Sequence, residues 1–266
     1  MTDLQDKSPP TALGGRLRMD PRIRERRVAV KRDEGRRRLR VLLVLGGLAT
    51  AIGVAYGVTR SPILDVDRVL VKGATFTASE EINRAGGLVG RPQLADVEPT
   101  EVALDIERLP WVEQATVVRH WPSTVEVQIV ERMALATMAA EGGGWALVDR
   151  TGRVLVVQEA PPQELAQVIA PAAPAPGRQV HPAAQAGLSV VEALPAALSQ
   201  SLETVTVAED DTILLGLKST PTVTFGPAEQ VRPKLVALST LLARVDLRGV
   251  KGIDVRVPTA PVVTRK

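Results

Sequence analysis

The apolar positions of this chain change period along its length, and each period predicts an element. From Val41 to Val58 the sequence VLLVLGGLATAIGVAYGV carries no charge over 18 residues and is bracketed by Arg40 and Arg60. At about 1.5 Å per residue such a helix reaches ~27 Å, close to the hydrocarbon thickness of a bilayer. Thr50 and Tyr56 do not make a polar face, so the run predicts a transmembrane helix and not a core helix. Nine basic residues from Arg24 to Arg40 precede it, whereas Arg60, Arg68 and Lys72 follow closely, which places the N-terminus in the cytoplasm. Ala49 and Ala51 resemble a leader-cleavage site, but a charged segment of forty residues is too long for an ordinary leader. Arg37-Arg38 leaves a folded-export signal as the alternative, decided by the mass of the membrane-bound protein. Gly53 and Gly57 have the spacing that lets two helices approach, although small residues are common in spans without pairing.

Beyond the span, strand alternation and helical spacing take turns. Val69 and Val71 share one strand face, and Gly73 ends that strand. Thr77-Ala-Ser-Glu80 reads as a capping box opening a short helix that Gly86-Gly87 closes. Val102, Ile106 and Leu109 predict a second helix over 100–108, stopped by Pro110. Trp111 to Arg119 and Val125 to Glu131 form a hairpin across Trp121-Pro122-Ser123, the second arm alternating as a half-buried strand does. The order is β, α, α, β, β.

A second set of elements begins with a hairpin, Trp145–Val148 and Val154–Val157 about an Asp149-Arg-Thr-Gly152 turn. Residues 159–182 are rich in Pro and Ala and read as a surface loop. A short helix over 183–194 leads to strands near 202–207, 212–217 and 220–225. A longer helix over 228–243 buries Val231, Leu235, Leu238 and Leu242. The end, Gly252 to Lys266, is strand-like and cut by prolines. The fold class is therefore α+β behind one N-terminal transmembrane helix.

Charge and chemistry narrow the function. Residues 1–40 hold 13 Lys and Arg against 6 Asp and Glu, whereas the rest holds 20 against 24, so the basic character belongs to the tail and a nucleic-acid-binding body is disfavoured. Anionic lipid is a partner open to that tail, though stop-transfer charge alone explains its position. Without Cys there are no disulfides, thiol nucleophiles or thiolate metal sites. His120 and His181 are the two histidines, so neither a His-based triad nor a zinc site is expected, and no cofactor or metal is implied. No serine-hydrolase motif occurs, and Gly142-Gly143-Gly144 lacks the context of a phosphate loop and reads as an interdomain joint. The expectation is a protein without catalytic residues. Trp111 and Trp121 read as core or turn packing, and Arg119 with Glu131 as a cross-strand ion pair.

The stretch LPWVEQATVVRHWPSTVEVQIVER, Leu109 to Arg132, resembles the signature of the POTRA domain of FtsQ/DivIB bacterial cell-division proteins, with Met133 where that family commonly has Pro. Asp149 to Val154, Phe225-Gly226, the Lys234 helix and Ile253 to Arg256 resemble, more weakly, the β-domain of the same family. The resemblance implies four parts: a largely disordered cytoplasmic tail (1–40), a transmembrane helix (41–58), a βααββ POTRA domain (61–132) and a mostly antiparallel, β-rich α+β domain (133–266). It further implies a non-enzymatic scaffold in the inner membrane at the division septum, with FtsB/DivIC-like and FtsL-like division proteins as partners.

In that family the last strand and the helix before it carry the partner contact, which directs attention to Ile253, Val255, Arg256, Val257 and Val262. The physical route is β-augmentation along an open edge over 253–264, with prolines 258 and 261 guarding it. The alternative is that the same strand merely completes the sheet. In that case Val125, Glu126 and Gln128 of the POTRA hairpin serve recruitment. The alternative function is an envelope chaperone of POTRA type that binds unfolded clients.

Overall fold

The computed structural model describes residues 21–59 and 64–265, in two compact units that divide after Ser61. The first unit is a helix, α1 (Pro21–Thr59). Its stretch Arg38–Gly57 is long and apolar enough to cross a bilayer. Where the sequence predicts disorder up to residue 40, the helix already begins at Pro21, a residue suited to a first helical turn and followed by good helix formers. The rest of the tail lies outside the described residues.

The second unit opens with β1 (Arg68–Lys72), α2 (Ser79–Ala85), α3 (Pro99–Ile106), β2 (Val112–His120) and β3 (Thr124–Glu131). The sheet order is β1-β3-β2, with β1 parallel and β2 antiparallel to β3. The alternation read from the sequence points Val125, Val127 and Ile129 into a core shared with Ile82, Leu94 and Ile106. The capping box is replaced by something stronger. The N-cap of α2 is Ala78, and the backbone amides of Thr75, Phe76 and Thr77 donate instead to the Glu131 carboxylate at 2.8 to 3.1 Å. Burial works to raise the Glu131 pKa, but those three amides hold it below the ordinary value. Glu131 is thus committed to the loop and not to Arg119, which lies opposite Val125 in the hairpin register. The exposed Phe76 ring stacks on Trp111 at 4.5 Å between centroids, so Trp111 has an aromatic partner that sequence proximity did not show.

The larger sheet contains β4 (Ala134–Ala139), β5 (Trp145–Asp149), β6 (Val154–Gln158), β7 (Ala166–Ile169), β8 (Leu202–Val207), β9 (Ile213–Leu217), β10 (Val223–Gly226), β11 (Val250–Asp254) and β12 (Val262–Arg265). Its order is β12-β11-β10-β9-β8-β7-β4-β5-β6, and five of its eight pairings are antiparallel. Three helices, α4 (Pro182–Ala193), α5 (Ala196–Ser199) and α6 (Val231–Arg244), complete it. Leu188, Val190, Leu235, Leu238 and Phe225 are fully covered in its core. Two expectations fail here. The Pro/Ala stretch contains β7, which pairs in parallel with β4 and β8 deep in the sheet and buries Ala166 and Val168. Gly142-Gly143-Gly144 is the turn between β4 and β5, with Gly143 and Gly144 at positive φ, and joins no domains.

The two cores meet through the β5–β6 turn. Arg132, directly after β3, donates from Nε to the Val112 carbonyl and from a terminal nitrogen to Asp149 at 2.8 Å. Asp149 is buried, and its other oxygen accepts from the Thr151 and Arg153 amides and the Thr151 hydroxyl. Burial raises the Asp149 pKa, yet Arg132 and these donors keep it below the usual carboxylate value. Arg150 reaches Glu113 at 2.7 Å, and Arg153 donates to the Arg108 carbonyl at 2.6 Å.

Candidate partner-binding surface

Among the described residues, a loop covers the start of one edge of the nine-stranded sheet and no strand covers the other. At β6 the Val154 amide donates to the Arg178 carbonyl and the Gly177 amide to the Val154 carbonyl, so a loop lies along that edge. At the far end β12 has β11 on one side and no further strand on the other among the described residues. The sequence reading treats 253–264 as one open edge. In the structure Ile253 and Asp254 belong to β11, which has a neighbour on each side, and the edge is confined to β12.

The orientation of that edge follows from its ladder. Ile253 donates its amide to the carbonyl of Thr222, just before β10, and Val255 to that of Thr224 on β10. Successive residues of a strand turn their backbone to opposite sides, so Asp254 addresses β12, where Val262 stands opposite it. Val263, the next residue, turns its backbone N–H and C=O out of the sheet, where an incoming strand would pair.

Beside this edge runs an open apolar groove of about 990 Å³, lined on the α6 side by Pro233, Val236, Ala237, Thr240 and Leu241 and on the hairpin side by Pro258, Pro261 and Val263. Arg232 and Arg244 stand in its lining near the two ends of α6. The core face of α6 is carried by Leu235, Leu238 and Leu241, whereas Val231 and Leu242 are half-buried. Val236 points away from that face and is 63 % exposed. An apolar residue outside the buried stripe was the signal in the sequence for a second contact face.

Lys234 anchors the start of the helix. It is buried, donates to the Pro227 carbonyl at 2.8 Å and lies 5.1 Å from the centre of the Phe225 ring. Burial pushes its pKa down, with Glu229 acting in the opposite sense.

The residues named from sequence divide by side. Ile253 and Val255 are in the core, whereas Arg256, Val257 and Val262 are exposed along the hairpin. Asp254 binds Arg256 through both guanidinium and amide, the contacts measuring 2.7 to 3.1 Å. That pairing lowers the Asp254 pKa and raises that of Arg256. On the smaller sheet Val125 is buried, while Glu126 and Gln128 lie on the opposite, outer face of β3. β3 is the central strand, so its backbone is already paired on both sides. Glu126 accepts from Lys72 at 2.7 Å and from Gln128 at 3.0 Å, with His120 at 3.2 Å, and these partners lower its pKa to about 2. His181, the other histidine, caps α4 by accepting the Ala183 amide.

Comparison with known proteins agrees with this architecture. Residues 64–132 match the profile of the FtsQ-type POTRA domain, and residues 136–256 match that of the C-terminal domain of cell division protein FtsQ/DivIB. The chain is 31 % identical to cell division protein FtsQ of Streptomyces collinus over 245 residues, covering 86 % of this chain and 90 % of that one. It is 28 % identical to cell division protein FtsQ of Corynebacterium glutamicum over 207 residues, covering 77 % and 91 %. With Mycolicibacterium smegmatis FtsQ the identity is 29 % over 84 % of this chain and 64 % of that one. This chain belongs to the FtsQ/DivIB family of bacterial cell division proteins.

Proposed function

We propose that the chain is a non-enzymatic scaffold of the division septum. Its basic N-terminal segment (1–40) faces the cytoplasm, α1 crosses the inner membrane, and the POTRA domain (61–132) and β-domain (133–266) lie outside. The observation that carries the reading is the free β12 edge beside the apolar groove. An extended segment of an FtsB/DivIC-like partner pairs with Val263, and its apolar side chains enter the groove against Val236 and Pro233. Arg256, Val257 and Val262 are the exposed contacts of that interface, and Ile253 and Val255 hold the strand in place from within the core. FtsL-like protein joins the same assembly.

A second surface serves recruitment. Because the β3 backbone is already paired, the outer-face side chains Glu126 and Gln128 make that contact, with Val125 beneath them as core. Glu126→Lys that leaves localisation intact removes this use of the strand. The scaffold reading itself is tested by a fluorescent protein at the N-terminus. Midcell bands in dividing cells are expected, and uniform envelope fluorescence from a functional fusion supports the chaperone alternative.

A further inference from the structure

Three separate segments of the POTRA domain converge at one end of its sheet. The Ser123 carbonyl, in the β2–β3 turn, accepts from the amides of Asp67 and Arg68 at 2.8 and 3.3 Å. The Val66 amide donates to Pro92 at 2.8 Å, and the Leu94 amide to Leu64 at 2.9 Å. The entry strand, the loop over 88–92 and the turn over 121–123 thus form a single tip.

That tip is apolar where solvent would favour polar groups. Trp121 is 57 % exposed and Val89 is 65 % exposed, while Leu88 and Val66 beneath them are buried. The chain holds three Trp and two Phe in all, so an indole left outside at a tight turn is a conspicuous use of a scarce side chain. Arginines surround it. Arg68 and Arg91 are exposed and Arg119 is half-buried, with His120 beside them. Asp65, Asp67 and Asp96 are the acids of the entry strand and its neighbouring loop, and Asp67 is paired to Arg91, which leaves Arg68 and Arg119 as the guanidinium groups not committed to an acid of that loop.

Chain connectivity fixes what this tip can reach. α1 ends at Thr59, so four residues precede Leu64. Five residue steps span at most about 18 Å. Leu64, where the domain begins, is therefore tethered to Thr59 by no more than that length of chain.

We infer that the POTRA tip is a membrane-interface anchor. Trp121 and Val89 enter the headgroup region of the bilayer, and Arg68 and Arg119 meet lipid phosphates. An amphipathic indole is favoured at that depth, and guanidinium groups bind phosphate through charge-assisted hydrogen bonds. The inference rests on α1 spanning the bilayer. It concerns lipid and not a protein partner, because the short tether supplies a bilayer at the required distance whether or not a partner is present.

The absence of native Cys makes the test direct. Full-length Val89→Cys, Asp210→Cys and Ala49→Cys are each spin-labelled and reconstituted without other proteins into vesicles of phosphatidylethanolamine and phosphatidylglycerol. The ratio of collisions with oxygen to collisions with a water-soluble nickel complex reports depth. The Val89 label is expected at headgroup level and the Asp210 label in water, with Trp121→Ser lowering the Val89 ratio about twofold. A Val89 label as aqueous as that at Asp210, or one unmoved by Trp121→Ser, overturns the anchor. If the Ala49 label is not at hydrocarbon depth, the spanning reading falls and the anchor with it. If Ala49 is deep and Val89 aqueous, the anchor alone falls.

Discussion

Replacing Val263 with proline removes the one N–H that the β11–β12 ladder turns out of the sheet at that residue, while keeping an extended backbone that an edge strand tolerates. The variant loses a backbone hydrogen bond to the incoming strand, and the partner's carbonyl is left unpaired beside an apolar groove. One bond is worth about 0.5–1.5 kcal/mol net, and an orphaned acceptor costs about 1–3 kcal/mol. A loss of roughly 1–3 kcal/mol, or ~5- to 150-fold in Kd, follows. Proline also removes some of the half-buried Val263 side chain, so Val263→Ala is the control: it trims the same contact and keeps the donor. Titration calorimetry of the full-length chain in nanodiscs with a DivIC-like partner from the same organism measures both variants. Proline is expected to weaken binding well beyond alanine. Equal affinities for the two variants would refute strand addition at this edge, whatever their distance from wild type.

Asp149→Ala leaves Arg132 without its buried partner and is expected to cost about 3–5 kcal/mol, read as a shifted urea midpoint. Glu131 gives a pH signature. Its folded pKa is lowered, so its stabilisation is complete above the unfolded value of about 4.3 and is lost as pH falls through the folded value. Wild type should lose stability in acid more steeply than Glu131→Gln, as unfolding curves from pH 7 downward will show. Gly73→Ala places a Cβ 2.2 Å from the Ile129 carbonyl oxygen at a φ of +82°. It should destabilise the fold by more than about 1 kcal/mol, read as a lowered melting temperature.

The elements legible in the sequence were those whose pattern is local. Val125 to Glu131 alternates strictly because one face is core, and the α6 stripe recurs at helical spacing. Both were read within a few residues. β7 was hidden because four residues among prolines carry too little periodicity, and parallel neighbours on both sides bury it without alternation. β4 was missed because Ala134–Ala139 is alanine-rich and lacks the β-branched signature of a strand. Thr77 to Glu80 matched a capping box, but Glu131, more than fifty residues away, took the amides of the loop. No local rule anticipates so distant an acceptor.

The candidate surface was half legible for a similar reason. Period-two alternation brings Arg256 out and sends Ile253 and Val255 in, just as it brings Glu126 out and sends Val125 in. What the sequence could not separate was the edge strand from its inner neighbour, since the break at Pro258 to Pro261 reads equally as an interrupted strand or as a turn.

Amide-resolved hydrogen exchange on the full-length chain, with and without the DivIC-like partner, reads strand addition at β12 residue by residue. The Val263 amide, which faces out of the sheet in the free chain, is expected to slow on binding, while the Val154 amide, already bonded to Arg178 at the opposite edge, stays unchanged. Unchanged exchange at Val263, with new protection appearing elsewhere, would contradict it.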